Sequence, residues 1–286
     1  MHDYMFDGWT RSSPGSGRLM ARFEIDGHMK WESYEPKPFT DTDIDIAISH
    51  CGVCGSDISS LRSGIGVGVQ CNACLRADCE RCSADLENHC KIDFVATYDS
   101  TYMDGQKSYG GYAKYWRGPA AFAFHIPDGL ASGAAAPMLC AGLTVYSPLL
   151  KTELGQANVV AILRSSSKRA NTLKIGADQY IATEEEEGWS KKHADSLDLV
   201  ISTVSGPGMR LEEYLALLDV NGTMVQNLKL GGSLIGSRST ARKMLEFAAK
   251  ENLTPWADVR QLAEANQVVQ DMVKGKARYR YVLANK

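Results

Sequence analysis

Four cysteines in one short stretch of the sequence have the spacing of a metal site. They are Cys74, Cys79, Cys82 and Cys90. Four thiolates suit Zn²⁺, a borderline-soft ion that takes four ligands in structural sites. A full set of protein ligands leaves no open position, so the spacing predicts a structural zinc in a lobe at about residues 71–92. Cys71 lies three residues before Cys74 and is an alternative first ligand.

Two further cysteines lie outside this cluster, Cys54 in HCGVCGSD and Cys140 in PMLCAGLTVYSPL. A single buried cysteine usually packs as a small hydrophobic residue, so each is weak as a signal by itself. Seven of the eight cysteines, however, lie between Cys51 and Cys90. The N-terminal segment has no apolar stretch typical of a secretory signal, so this clustering indicates metal binding rather than a disulfide framework.

The elements that position these residues change in character along the chain. The segment DTDIDIAISH alternates apolar and polar residues, and residues 51–118 are rich in turn formers, which predicts β-strands and loops. Beyond residue 135, short apolar strands at 158–163, 197–203 and 222–226 alternate with helical patterns. This alternation predicts a parallel sheet with helices on its faces.

Three helices and a closing strand are predicted in the second half of the chain. The first is MRLEEYLALL. The second is STARKMLEFAAKEN, with Met244, Leu245 and Ala248 facing inward and Ser237 or Ser239 as its N-cap. The third lies near residues 259–274, and RYRYVLAN forms the closing strand. The acidic run Glu184–Glu187 is interpreted as a solvated loop.

The overall composition excludes several classes of function. The chain has 286 residues, enough for two domains, with 44% hydrophobic and 23% charged residues. A net charge of −3 gives no electrostatic footprint for nucleic acid or an anionic membrane. No apolar run approaches the roughly 20 residues of a membrane span. We therefore expect a soluble, cytoplasmic protein.

Seven motifs in fixed order carry a resemblance to a known family. They are HCGVCGSD, the cysteine lobe ending in ENHC, SYGGYA, CAGLTVYSPL, RSSSKRANTLKIGAD, GGSLIGS and KARYRYVL. The series, which runs from about Phe6 to Ala284, resembles the zinc-dependent medium-chain alcohol dehydrogenases. It is most similar to their NADP-dependent, cinnamyl-alcohol-dehydrogenase-like branch.

The resemblance implies an α/β fold with two domains. Residues 1–143 would form a GroES-like, β-rich catalytic domain that includes the zinc lobe. Residues 144–255 would form a truncated Rossmann-like domain with a doubly wound parallel sheet, and residues 256–286 would return to the catalytic domain. Members of the family pair through the edges of their Rossmann sheets, so a homodimer through GGSLIG is expected.

The resemblance also assigns roles to individual residues. Cys54 and Cys140 would bind a catalytic zinc, Ser56 would relay a proton, and the carboxylate of Asp57 would orient the metal ligands. The residues expected at the cofactor are Gly55, Arg164, Ser165, Ser166, Lys168, Thr203, Ser233 and Arg278. An NAD enzyme normally has an acidic residue where Arg164 begins a turn of hydroxyls and cations, which favours the 2′-phosphate of NADP(H).

These roles imply the interconversion of a primary alcohol, aromatic or medium-chain aliphatic, and its aldehyde. The partners are then Zn²⁺, NADP(H) and a small-molecule substrate. The zinc would act as a Lewis acid on the substrate oxygen, and the nicotinamide would carry the hydride.

Three segments that the family possesses are absent from the sequence. The Gly-His-Glu segment that supplies the histidine ligand of the catalytic zinc is missing after Gly64. The GxGxxG turn, within a strand–loop–helix of about 30 residues, is missing near Ile162. A shorter segment is missing after Gln226. His50 and His125 are substitute zinc ligands in principle, but their spacing does not recommend either.

Two hypotheses account for these gaps. In the first, in-frame blocks were lost from the written sequence, and the flanking motifs are intact because the working enzyme is an ordinary dehydrogenase. In the second, the deletions are real, and the chain is a catalytically impaired or repurposed non-redox member that keeps only its structural zinc.

Overall fold

The computed structural model describes residues 5–11, 29–54, 70–151, 157–203, 208–226 and 236–285. The chain divides into two compact units, one of Met1–Thr144 with Ile235–Lys286 and one of Val145–Leu234. The predicted domains change at residue 144 and again at residue 256. In the structure, the chain returns to the first unit at Ile235, earlier than the predicted return at residue 256. Which ligand each domain binds stays a prediction.

Fifteen strands lie within the described residues. In chain order they are β1 Phe6–Arg11, β2 Met29–Tyr34, β3 Asp43–Ala47, β4 His50–Gly52, β5 Gln70–Asn72, β6 Val95–Ala96, β7 Tyr98–Thr101, β8 Lys107–Tyr109, β9 Tyr115–Pro119, β10 Val160–Leu163, β11 Gln179–Ala182, β12 Leu197–Ser202, β13 Leu218–Gln226, β14 Ala257–Gln261 and β15 Arg280–Ala284.

Eight α-helices accompany these strands in the described parts of the chain. They are α1 Glu80–Ser83, α2 Ser132–Pro137, α3 Leu143–Lys151, α4 Arg169–Lys174, α5 Trp189–Lys192, α6 Leu211–Leu215, α7 Arg238–Lys250 and α8 Ala265–Val273. A π-helical turn, Met138–Gly142, joins α2 to α3. Short 3₁₀ turns cover Glu87–His89, Ala120–Phe122, Ser166–Lys168 and Leu262–Glu264.

The first unit is built around a three-stranded sheet whose centre is β15. Strand β14 pairs parallel with β15, and β4 pairs antiparallel with it on the other side. The sheet contributes Tyr281 and Leu283 to a core that includes Val53, Val268 and Val269. The remaining strands of this unit form antiparallel pairs, β1 with β2, β3 with β9, β5 with β6 and β7 with β8. This content agrees with the β-rich half predicted from the sequence.

The second unit contains the parallel strands predicted from the strand–helix alternation. Strand β10 pairs parallel with β11, and β12 pairs parallel with β13. Among the described residues these are two separate pairs rather than one continuous sheet. Ile181, Trp189 and Leu217 form the core of the unit, and the ring of Tyr214 packs edge-on against Trp189 with 5.1 Å between ring centroids.

Two of the three predicted helices differ from the structure. Residues 257–261 form strand β14 and not the start of the last helix, because they pair along β15. The helix starts only after a capping box in which Gln261 and Glu264 exchange side-chain and backbone hydrogen bonds. The helix predicted over MRLEEYLALL is limited to Leu211–Leu215, since Leu218 already begins strand β13. Helix α7 has the predicted inward residues and the predicted cap Ser237.

The series of helical turns from Ser132 to Leu150 contradicts the expectation that no apolar run approaches the length of a membrane span. It is 19 residues long with a mean hydropathy of 1.3, enough by length and composition to cross a membrane. Core helices of soluble proteins pass the same criterion, and α2 packs here against β4 and β15. The expectation that the chain binds no membrane therefore stays a prediction.

Candidate zinc and cofactor sites

The four clustered cysteines converge on one point. Their sulfur atoms all lie within 4.8 Å of one another, and the Sγ atoms of Cys74 and Cys82 are 3.5 Å apart. Tetrahedral zinc with Zn–S bonds of about 2.3 Å requires sulfur separations of roughly 3.8 Å. The residues present therefore fit a Cys₄ zinc site. Left-handed backbone at Leu75 and Asp85 turns the chain around this point.

The alternative ligand Cys71 has other contacts. Its Sγ is 3.3 Å from the carbonyl oxygen of Ala96 and 3.3 Å from the hydroxyl of Tyr102. Burial raises the pKa of the Cys71 thiol to about 11, which disfavours the thiolate that a metal requires. The geometry therefore favours Cys74 over Cys71 as the first of the four ligands.

The thiols of the cluster differ in their tendency to ionise. Burial opposes ionisation of Cys90, but backbone N–H groups, those of Asp93 and Cys74 first, lower the pKa of its thiol to about 6. Burial, followed by hydrogen bonds with the neighbouring thiols, raises the pKa of Cys82 far above its ordinary value. Four adjacent thiolates repel one another, and a divalent cation is the group that allows all of them to ionise.

The loop between Cys82 and Cys90 also contacts the beginning of helix α7. The buried carboxylate of Glu87 accepts hydrogen bonds from the backbone N–H and the Nε of Arg238, at 2.7 and 3.0 Å. Asp85 accepts hydrogen bonds from the hydroxyls of Ser237, at 2.8 Å, and Ser239. Two carboxylates of the zinc lobe thus lie at a helix N-terminus, where negative charge is favourable. No sequence motif indicates this role for Asp85 or Glu87.

Cys54 and Cys140 come together from distant parts of the chain. The main chain that leads to Cys54 is held by β15, because the N–H of Val53 donates to the carbonyl oxygen of Tyr281 at 3.0 Å. Helix α2 approaches β4 so closely that a side chain at Gly52 would lie 2.9 Å from the carbonyl oxygen of Ala136. This close packing brings the π-helical turn with Cys140 next to Cys54.

The two sulfur atoms of this pair are 3.5 Å apart. That separation suits two ligands of a single zinc ion. Within the described ranges, no third His, Cys, Asp or Glu joins them in a common cluster. His50 lies beside Gly133, with its Nδ1 3.1 Å from the hydroxyl of Ser49, and His125 is exposed. The pair therefore fits zinc as two of the three protein ligands that catalytic zinc sites normally have.

The predicted phosphate-binding residues form a turn after strand β10. Arg164 and Ser166 are exposed, and Ser165 and Lys168 are partly buried. The hydroxyl of Tyr180 donates to the carbonyl oxygen of Ser165 at 2.7 Å. The turn thus presents hydroxyl groups and positive charges, which are the groups that bind a phosphate.

One residue of the acidic run lies at this turn. The backbone N–H of Ser166 donates to Oε1 of Glu185 at 2.9 Å. Next to it, Glu186 contacts His193 and Lys192 at 3.2 and 3.5 Å. The segment is a loop as predicted, but its carboxylates have specific partners, which the run of identical residues did not indicate.

The other predicted cofactor residues lie in separate segments of the chain. Thr203 lies exposed just after strand β12 of the second unit. Arg278 belongs to the first unit, where it lines an open cavity of about 560 Å³ together with Trp256, Lys276 and Arg280. Gly55, Ser56, Asp57 and Ser233 lie outside the described residues.

Comparison with known proteins identifies relatives across most of the chain. NADP-dependent alcohol dehydrogenase 6 of Saccharomyces cerevisiae is 32% identical, over 91% of this chain and 94% of the relative. A probable cinnamyl alcohol dehydrogenase of Eucalyptus globulus is 31% identical, over 80% of this chain and 76% of the relative. No family model matches the chain.

Solved structures share the fold of the chain. A cinnamyl alcohol dehydrogenase of Sorghum bicolor superimposes with a TM-score of 0.81 and 24% identity, over 99% of both chains. The enzyme of the same name from Helicobacter pylori, solved in complex with NADP(H), has a TM-score of 0.81 and 22% identity, also over 99% of both chains. These structures have the predicted combination of a GroES-like and a Rossmann fold.

The comparisons also bear on the predicted gaps. The alignment with the yeast relative extends over 343 positions, more than the 286 residues of this chain. The relative therefore has residues within the aligned region that have no counterpart here. This agrees with the absence of internal segments that the motifs indicated.

Proposed function

The chain belongs to the zinc-dependent medium-chain alcohol dehydrogenases, in the branch of NADP-dependent and cinnamyl alcohol dehydrogenases, and from this premise we propose its reaction. It interconverts a primary alcohol, aromatic or medium-chain aliphatic, and the corresponding aldehyde, with NADP(H) as the redox partner. The observation that carries the proposal is the 3.5 Å separation of the sulfur atoms of Cys54 and Cys140, on elements far apart in the chain.

The proposal assigns a role to each of the chain's own site residues. Cys54 and Cys140 hold the substrate-side metal, and the Cys74–Cys90 cluster holds a second, structural ion. The hydroxyl of Ser56 passes the proton between the alcohol and solvent, and the carboxylate of Asp57 orients the ligands. When bound, zinc would supply the Lewis acidity that lowers the pKa of the alcohol, and the nicotinamide would carry the hydride.

Selection of the cofactor rests on the turn after β10. Arg164 and Lys168 supply positive charge, and Ser165 and Ser166 supply hydroxyls for a 2′-phosphate. The proposal assigns Thr203 and Ser233 to the nicotinamide side of the cofactor, and Gly55 and Arg278, the latter from the C-terminal segment, as further cofactor-binding residues. The missing glycine-rich turn leaves the pyrophosphate without its usual helix N-terminus.

Compartment and assembly belong to the same proposal. None of the eight cysteines, all of which lie within the described residues, forms a disulfide bond. Zinc binding requires reduced thiols, and the cytoplasm keeps them reduced. We expect a cytoplasmic enzyme that acts on small molecules and forms a homodimer through GGSLIG, which size-exclusion chromatography with light scattering would test.

The direct test is an assay of the purified full-length chain. We expect NADPH oxidation that depends on cinnamaldehyde or a medium-chain aldehyde and that is lost when zinc is removed by a chelator. A folded, zinc-loaded chain that oxidises no NADPH with either class of aldehyde would contradict the proposed function. That result would favour the hypothesis of a non-redox family member.

A further inference from the structure

Glu185 lies at the edge of the sheet where the predicted cofactor turn begins. Strands β10 and β11 run parallel with Leu163 opposite Ala182, so their carboxyl ends meet at the same edge. Two backbone hydrogen bonds extend this pairing, from Thr183 to Leu163 and from Glu184 to Arg164, each 2.9 Å long. The register therefore fixes the loop that carries Glu185 beside the turn.

The carboxylate of Glu185 makes a direct contact with a residue of that turn. Its Oε1 accepts the backbone N–H of Ser166 at 2.9 Å. Hydrogen bonds with Ser166 lower the pKa of Glu185, and the positive charge of Arg169 lowers it further. The guanidinium of Arg169 is itself held over the ring of Tyr180, 5.0 Å from its centroid. Glu185 thus carries a negative charge at a position where the turn offers an N–H to an anion.

We propose that Glu185 is a specificity-determining residue that reduces the preference of this chain for NADP(H) over NAD(H). The inference rests on the cofactor site of the proposed function. A 2′-phosphate bound at Ser166 must either displace the carboxylate of Glu185 or lie beside it. Two negative charges side by side repel each other. A ribose 2′-hydroxyl meets no such repulsion.

The test compares adenosine 2′,5′-bisphosphate with 5′-AMP, which differ only in the 2′-phosphate. Both are titrated calorimetrically into the full-length chain and into its Glu185→Gln variant. Removing one exposed charge is worth about a fivefold change in affinity. We expect Glu185→Gln to bind the bisphosphate about fivefold more tightly, with the affinity for 5′-AMP unchanged.

Glu184→Gln is the matched control. It removes the same charge from the neighbouring exposed residue, whose described contact with the turn is a backbone hydrogen bond that the substitution leaves intact. It should leave the affinities for both compounds unchanged. An equal gain from Glu184→Gln would show a general effect of net charge and would overturn the inference.

The remaining outcomes separate this inference from the function on which it rests. If the original chain binds the bisphosphate, and Glu185→Gln binds it equally well or more weakly, only the role of Glu185 is contradicted. Failure of the original chain to bind either compound contradicts the proposed cofactor site, and the inference falls with it.

Discussion

Cys54 and Cys140 are the residues on which the proposed catalysis depends. They lie 86 positions apart in the chain, and packing of α2 against β4 brings them to 3.5 Å. Neither residue is part of the Cys₄ cluster. The two proposed metal sites can therefore be tested separately.

Replacement of Cys140 tests the substrate-side site. We expect Cys140→Ala to lower aldehyde-dependent NADPH oxidation by at least about 100-fold, because it removes one of the two proposed ligands of the substrate-side metal. Zinc analysis by mass spectrometry should still find the structural ion. Cys51→Ala, on the neighbouring strand β4, is the control and should keep both activity and zinc. Equal activity of Cys140→Ala and the original chain would refute the metal-binding role.

Ionisation within the Cys₄ cluster leads to a pH prediction. The pKa of Cys90 is about 6, so this thiol is already ionised at neutral pH, whereas the raised pKa of Cys82 keeps that thiol protonated. Zinc binding to the metal-free chain at neutral pH should therefore release fewer protons than the cluster has thiols. Calorimetry in two buffers of different ionisation enthalpy measures this number. Zinc affinity should fall as the pH is lowered through about 6, and an affinity independent of pH would contradict this account.

Much of the residue-level picture could be predicted, because short spacers force nearby side chains together. The Cys₄ cluster is of this kind. The role of Glu185 could not be predicted, because it depends on the register between β10 and β11, which the sequence of either strand does not specify. The sequence predicts Cys74 as the first ligand with Cys71 as an alternative, and the contact of Cys71 with Tyr102, which the sequence does not indicate, favours Cys74.

At the scale of elements, the zinc lobe and helix α7 are joined through buried charge. One oxygen of Glu87 accepts two hydrogen bonds from Arg238, and the other is buried without a partner among the described residues. In Glu87→Gln, the amide N–H₂ group would replace either the buried oxygen that has no partner or the oxygen that accepts hydrogen bonds from Arg238. We expect a loss of about 2 kcal/mol of unfolding free energy, measured by urea denaturation of the zinc-loaded chain.

Glu246→Gln provides the comparison for this substitution. Glu246 lies exposed on the same helix, so its replacement should change stability by less than about 0.5 kcal/mol. If both variants unfold at the same denaturant concentration as the original chain, the contact between the lobe and α7 contributes nothing to stability.

The elements themselves show where pattern reasoning succeeds. Helix α7 was predicted with its cap because Ser237 and the inward residues Met244, Leu245 and Ala248 are local signals. Strand β14 was mistaken for helix because its extended conformation comes from pairing with β15, which is distant in the sequence. Tertiary pairing of this kind overrides a helical pattern of apolar residues.

At the scale of the whole molecule, the account predicts an unusual distribution of cofactor affinity. The turn proposed to bind the adenosine end is present, but the glycine-rich turn for the pyrophosphate is absent from the sequence. Most of the binding energy should therefore come from the adenosine 2′-phosphate end. We expect NADPH and adenosine 2′,5′-bisphosphate to bind with dissociation constants within about tenfold of each other. NADPH binding more than about 100-fold tighter would show that another part of the chain replaces the missing turn.

The central claim is that this chain transfers a hydride between NADP(H) and an aldehyde. NADPH that carries deuterium at its hydride-donating carbon tests it most directly, with cinnamaldehyde as substrate and the zinc-loaded chain as catalyst. We expect cinnamyl alcohol with one deuterium on the former carbonyl carbon, detected by mass spectrometry, and at least about 100-fold slower formation of this product by Cys140→Ala. Absence of labelled alcohol from the folded, zinc-loaded chain would contradict the claim.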